Sequence, residues 1–115
     1  MKIRFLARVA ILTCLFGLHD TATALTTEQF GAICDAGEME CGKHPVLNAY
    51  VGGALDLIAV LDEQTDYLGD VYCGRPDKLF DVPAIIAYIV AHRDSHADKN
   101  AMLLLVRYLE ENGGC

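Results

Sequence analysis

Cys34, Cys41, Cys73 and Cys115 narrow what this chain can fold into more than any other feature. The fifth cysteine, Cys14, lies in a stretch that reads as a secretory leader. Lys2, Arg4 and Arg8 precede an apolar run over residues 9–18, and Ala22-Thr23-Ala24 supplies a small-x-small cleavage site. That run is too short for a bilayer, which takes about 20 apolar residues. Thr13 is bulkier than the residue that usually precedes a lipidated cysteine, so a lipoprotein reading through Cys14 is the weaker one. Residues 1–24 are expected to be a signal peptide and residues 25–115 a single exported domain.

An even number of cysteines in a small exported domain reads as two disulfides, for which three pairings exist. No two of the four stand as C-x-x-C, the short spacing that zinc sites and dithiol exchange use. Neither a metal nor any other cofactor is expected.

Without the leader, six basic residues face fifteen acidic ones, a net charge of −9. Phosphate backbones and anionic membranes are bound through Lys and Arg, so this balance disfavours both as partners. A basic protein surface is compatible with it, although an acidic surface also serves solubility.

The apolar spacing is helical throughout, with no strand alternation and no repeat. Thr26 and Gln29 form a capping box for a first helix running to about Asp35. Pro45 opens a second helix over residues 45–61, where its missing N–H does no harm. Val46, Tyr50, Gly53, Ala54, Leu57 and Leu61 make one stripe and are expected to face the core. Ala49, Gly52, Asp56 and Ala59 make a second stripe of mostly small residues, so this helix is expected to be central. Two adjacent glycines cost a helix interior about 1 kcal/mol each relative to alanine; Gly52 and Gly53 are expected to return that by letting neighbouring helices close in.

Residues 62–72 read as a long acidic connection holding Asp62, Glu63, Asp66, Tyr67 and Asp70, and long connections in helical domains are often functional. After a turn at Cys73-Gly-Arg-Pro76, a third helix is opened by Asp81 and Pro83, with Leu79, Val82, Ile86, Ile89 and Val90 inward. Tyr88 faces the other way, as an exposed side chain or a contact anchor. A fourth helix, capped by Ser95 or Asp98, stops at Asn112-Gly-Gly114, with Ala101, Leu104, Leu105, Tyr108 and Leu109 inward. Leu103 and Val106 fall on its outer side. The expected fold is all-α: a small four-helix domain stapled by two disulfides. An antiparallel hairpin of the last two helices favours Cys73–Cys115, leaving Cys34–Cys41 across the first connection, but the sequence leaves the pairing open.

Catalytic machinery is hard to find. His92 and His96 are four apart, with Asp94 and Asp98 beside them, yet they straddle the break between two helices. Paired cysteines offer no thiolate, and neither a phosphate-binding glycine loop nor a G-x-S-x-G turn is present. No enzyme is expected.

Cys34, Tyr50-Val-Gly-Gly-Ala-Leu-Asp56, Cys73-Gly-Arg-Pro76, Ala87-Tyr-Ile-Val-Ala-His92, the series Ala101, Leu105, Tyr108 and Leu109, and the final Cys115 stand in an order and spacing that resembles the Rap/Tai family of type VI secretion immunity proteins. The resemblance spans essentially residues 25–115. The family commonly sets its second cysteine just before the aromatic-glycine helix, where Leu47 and Asn48 stand here, and many members have a proline where Arg93 stands.

The resemblance implies a periplasmic protein, often a homodimer, that binds a peptidoglycan amidase effector and occludes its active-site groove. Asp62, Glu63, Asp66, Tyr67 and Asp70 are the expected partner-binding residues, on a segment able to enter a cleft. Gly52, Asp56, Leu103 and Val106 are the candidates for a dimer contact. The alternative from another class is an acid-stress chaperone of the HdeA kind, also small, exported, helical and disulfide-bonded.

Overall fold

A computed structural model describes residues 24–71, 73 and 81–115 of the chain. The leader up to residue 23, Tyr72, the turn residues after Cys73, and Leu79 lie outside the described residues. Among the described residues five helices follow in order: α1 (Thr27–Ala36), α2 (Pro45–Thr65), α3 (Tyr67–Val71), α4 (Val82–Ala91) and α5 (Ala101–Asn112), with a 3-10 turn at Cys41–Lys43 before α2. No strand occurs among the described residues, so the all-α expectation holds. α3 is a single short turn; the other four helices build the bundle.

Local signals set most helix starts. The Thr26 hydroxyl accepts from Gln29 N at 3.2 Å, and Thr26 N donates to Gln29 Oε1 at 2.9 Å, closing the capping box. Pro45 takes the first turn of α2. The Asp81 carboxylate accepts from Ala84 N at 3.1 Å and opens α4. α5 corrects the sequence reading: its cap is Asn100, whose Oδ1 accepts from Met102 N at 2.9 Å, and neither Ser95 nor Asp98 fills that place. Ser95 instead donates to His92 O within the preceding turn, and Asp98 pairs with Lys99 on the surface.

The starts of α1 and α5 are tied together. Thr27 N and Glu28 N donate to Lys99 O and Ala97 O, and Ala101 N donates to Leu25 O. Each helix N-terminus thus finds carbonyl partners for N–H groups that have none within the helix. Thr27 is fully buried, and its hydroxyl also donates to Lys99 O.

The core gathers Phe30 and Cys34 of α1, Leu47, Val51 and Leu55 of α2, Ile85, Ile86 and Ile89 of α4, and Ala101, Leu104, Leu105 and Leu109 of α5. The hub is α4, not α2: α4 packs on α1, α2, α5 and the 3-10 turn. The two helices are apolar for different reasons. α4 is covered on several sides, whereas α2 buries one narrow face. On α4, Val82 and Val90 are only half-buried, and Ile85 takes the inward place the spacing did not assign.

The expected inner stripe of α2 holds only at Tyr50 and Ala54, which are half-buried against the core. Val46 is 56%, Leu57 61% and Leu61 43% exposed and Gly53 is exposed, while Leu47, Val51 and Leu55 turn inward. The account of the paired glycines is overturned: a Cβ built on Gly52 or Gly53 meets no heavy atom within 4 Å. No helix among the described residues closes in on either.

The structure settles the pairing that the sequence left open, in favour of the hairpin geometry. Cys34–Cys41 spans the α1 exit with Cα atoms 5.1 Å apart, and Cys73–Cys115 ties the α3 exit to the end of the chain at 5.0 Å. Cys73 N also donates to Gly113 O at 2.7 Å. Such bonds are consistent with an oxidising, extracytoplasmic environment.

Candidate partner-binding site

The acidic segment expected as a long loop is largely helical. α2 runs on to Thr65, and α3 begins two residues later. Leu55 is the last fully buried residue of α2, Ile58 one turn further still packs against the core, and Leu68 of α3 folds back onto it. The helix stops where Asp66 takes a left-handed conformation, φ 54° and ψ 33°, which aspartate tolerates better than most residues. Asp66 N still donates to Asp62 O at 2.8 Å, and Thr65 Oγ1 donates to Leu61 O.

Asp62 then reaches across this corner: its Oδ1 accepts from Leu68 N at 2.8 Å, supplying an acceptor to the first turn of α3. The Asp66 carboxylate lies against Gly69 so closely that a Cβ there would fall 2.9 Å from its Oδ1. A side chain at Gly69 would therefore have to displace the Asp66 carboxylate. The outcome is a tight helix–corner–helix tip in which Asp62 holds the fold and Glu63, Asp66, Tyr67 and Asp70 are exposed. Tyr67 is 38% exposed, a large apolar ring among carboxylates. Between Lys43 and Arg75 the sequence holds no lysine or arginine, so the tip carries no cationic side chain of its own. The five residues named from the sequence all lie at this corner, Asp62 half-buried within it and the other four exposed. Sequence reasoning missed the corner, for which the signal was Asp66 followed at three residues by a glycine.

The dimer candidates scatter. Asp56 is exposed and Gly52 half-buried on α2, while Leu103 is 41% exposed and Val106 half-buried on α5.

Elsewhere, His92 and His96 are engaged in structure. His92 is the C-cap of α4, and its Nδ1 donates to Tyr88 O at 2.8 Å. Arg107 donates to His96 Nε2 at 2.7 Å, so the proton of His96 sits on Nδ1 and is given to Ser95 Oγ at 2.8 Å. Tyr88 is half-buried: its ring lies tilted 4.1 Å from that of His92 and meets Tyr108 edge-on at 5.5 Å. Burial first, then a hydrogen bond to Glu111, push the Tyr88 phenol above its usual range.

A shallow depression of about 320 Å³ is lined by Glu28, Ala32, Asp35, Arg93, Asp94 and Ala97. Arg93 pairs with Asp35 across it, and no nucleophile stands there. Among the described residues no group of three or more His, Cys, Asp or Glu side chains converges to hold a metal ion. Neither a protein-family model, nor a curated protein, nor a solved structure matches this chain.

Proposed function

We propose that this chain is an inhibitor: an immunity protein that binds a peptidoglycan amidase delivered by type VI secretion and blocks its active-site groove with the α2–α3 tip. The observation that carries the reading is the tip itself, seated on the core through Ile58 and Leu68 and closed by Asp62. A segment already fixed in its bound shape loses little entropy on docking, so more of its contact energy appears as affinity. Tyr67 supplies the kind of aromatic anchor enriched at interface centres. Glu63, Asp66 and Asp70 add steering toward a basic rim. The two disulfides suit work in an oxidising compartment such as the periplasm.

The test is binding between the leader-free chain and the amidase encoded beside it, or a panel of secreted amidases, followed by peptidoglycan hydrolysis with and without the chain. Stoichiometric inhibition supports the proposal. A chain that binds no amidase, but protects other proteins from aggregation only in acid, would be the HdeA-like chaperone instead.

A further inference from the structure

We infer that Cys73–Cys115 is a site of thiol–disulfide exchange, opened on the folded chain by a protein dithiol of the C-x-x-C type, and that its opening frees the exit of α3 from the end of α5 while Cys34–Cys41 stays closed. The inference is independent of what the tip binds. It starts from a difference in access between the two bonds. Cys34 is 6% exposed and belongs to the core, and Cys41 is half-buried against it. Cys73 and Cys115 are both exposed. Exchange requires an incoming thiolate to reach one of the two sulfurs, so burial protects a disulfide and exposure makes it labile.

The surroundings of the exposed bond decide which sulfur is attacked and where the other goes. Cys73 follows α3 by two residues, and its Sγ lies 4.0 Å from Gly69 O within that helix. Cys115 stands three residues past α5, beyond Gly114 with its left-handed φ of 76°. Attack therefore falls on Cys115 Sγ. The old S–S bond breaks as the new one forms, and Cys73 leaves as a thiolate that takes a proton from solvent. As a thiol it has Gly69 O within reach as an acceptor. The second thiol of the dithiol then attacks its own sulfur in the mixed disulfide and releases Cys115 as a thiol. The chain gains two electrons and two protons, and the dithiol loses them in becoming a disulfide. A lone thiol would leave the mixed disulfide standing until a second arrived, which is why the reductant is a dithiol.

The consequence for the fold is local. With the covalent tie gone, the bond from Cys73 N to Gly113 O, 2.7 Å long, remains between the two exits. At the other end of α3 the Asp62 carboxylate still accepts from Leu68 N, and Leu68 still packs on the core. The corner thus stays closed while the far end of α3 opens at a free energy well below that of global unfolding.

The test uses the leader-free chain with both disulfides formed. Dithiothreitol, then iodoacetamide and peptide mass spectrometry, should label Cys73 and Cys115 at least about tenfold faster than Cys34 and Cys41. Urea below the unfolding transition should leave the faster rate unchanged, because attack does not wait for unfolding. A thioredoxin whose second active-site cysteine is serine should be trapped as a mixed disulfide on Cys115. In the double variant Cys73→Ser, Cys115→Ser, amide exchange at position 73 should quicken by about tenfold or more, while that at Leu68 stays within about twofold of wild type. The inference is overturned by labelling of Cys34 and Cys41 as fast or sooner, by a rate that climbs with urea as unfolding does, or by a thioredoxin adduct that is absent or sits on another cysteine. Exchange unchanged at position 73, or raised equally at Leu68, overturns it as well.

Discussion

Arg93 Nη1 lies 2.6 Å from Asp35 Oδ2, and the Arg93 stem is laid across the backbone of Gly31. The α4–α5 turn thereby grips α1. The ion pair itself is largely exposed and contributes little, whereas the space at Gly31 is occupied: a Cβ there would collide with Arg93 Cδ. Asp35→Ala is expected to leave the urea midpoint nearly unchanged. Gly31→Leu gains about 1 kcal/mol in helix propensity but displaces the arginine stem and overpacks the α1 face, at a cost of about 1–3 kcal/mol. The net change in urea unfolding should be destabilising, and loss of the α1 grip should appear as faster amide exchange at its start.

Asn100, not Asp98, caps α5, and the two are separable by mutation. Removing a cap costs about 1 kcal/mol. Asn100→Ala should lower the unfolding free energy by about that amount, while Asp98→Ala, two residues outside the helix, should leave it within about 0.5 kcal/mol of wild type. Equal effects would return the cap to the earlier residue.

The contrast between α5 and α2 explains what was legible in the sequence. Capping pairs act locally, so Thr26 with Gln29, Asp81 with Ala84 and the stop at Gly113 follow from short stretches alone. α5 carries most of its apolar residues on one face, with Leu103 and Val106 outside it, and its buried Ala101, Leu104, Leu105 and Leu109 were readable. α2 is apolar on two faces, and helical spacing cannot rank Val46, Leu57 and Leu61 against Leu47, Val51 and Leu55. What decides is the position of α4, a tertiary fact. The Asn100 cap was hidden for a similar reason: the strap from Leu25 to Ala101 fixes where α5 begins. At the tip, charge drew attention to the right residues, but the Asp62 bond to Leu68 N is a six-residue contact that composition does not reveal.

Two tyrosines set an alkaline limit. Burial raises the phenol of Tyr50 above 10.0, and burial with the Glu111 hydrogen bond raises that of Tyr88. In the unfolded chain both ionise near 10, so above that pH the unfolded state holds fewer protons than the folded one. Stability is therefore full below about pH 10 and is lost as pH rises through the folded-state values. Urea midpoints should fall across that window, and Tyr50→Phe with Tyr88→Phe should flatten the fall. An unchanged slope in the double variant would show that other groups govern it.

The disulfides should contribute unequally. Cys73–Cys115 closes a separation of 42 residues and Cys34–Cys41 one of 7. In the chain-entropy model these correspond to about 4 and about 2.5 kcal/mol respectively. Cys34 is also a buried core residue, so replacing it adds a packing loss that Cys115, which is exposed, does not. Replacing each pair with alanine and measuring urea unfolding separates the two terms. If the longer loop proves the less stabilising, residual structure in the unfolded chain is holding its ends together.

Asp66 allows charge and shape at the tip to be varied separately. Asparagine tolerates the left-handed conformation as aspartate does, so Asp66→Asn should preserve the corner and change the unfolding free energy by less than about 0.5 kcal/mol. If the tip docks a basic groove, the same change should slow association with the amidase, most strongly at low salt, with little effect on dissociation. Tyr67→Ala should act the other way, raising the dissociation rate as the loss of a central anchor does, by about 2 kcal/mol in affinity. Asp62→Ala removes the acceptor for Leu68 N and should loosen the corner, weakening binding through shape without removing an exposed charge. Surface-plasmon kinetics at two ionic strengths distinguish these three outcomes, and equal kinetics for all three variants would remove the α2–α3 tip from the interface.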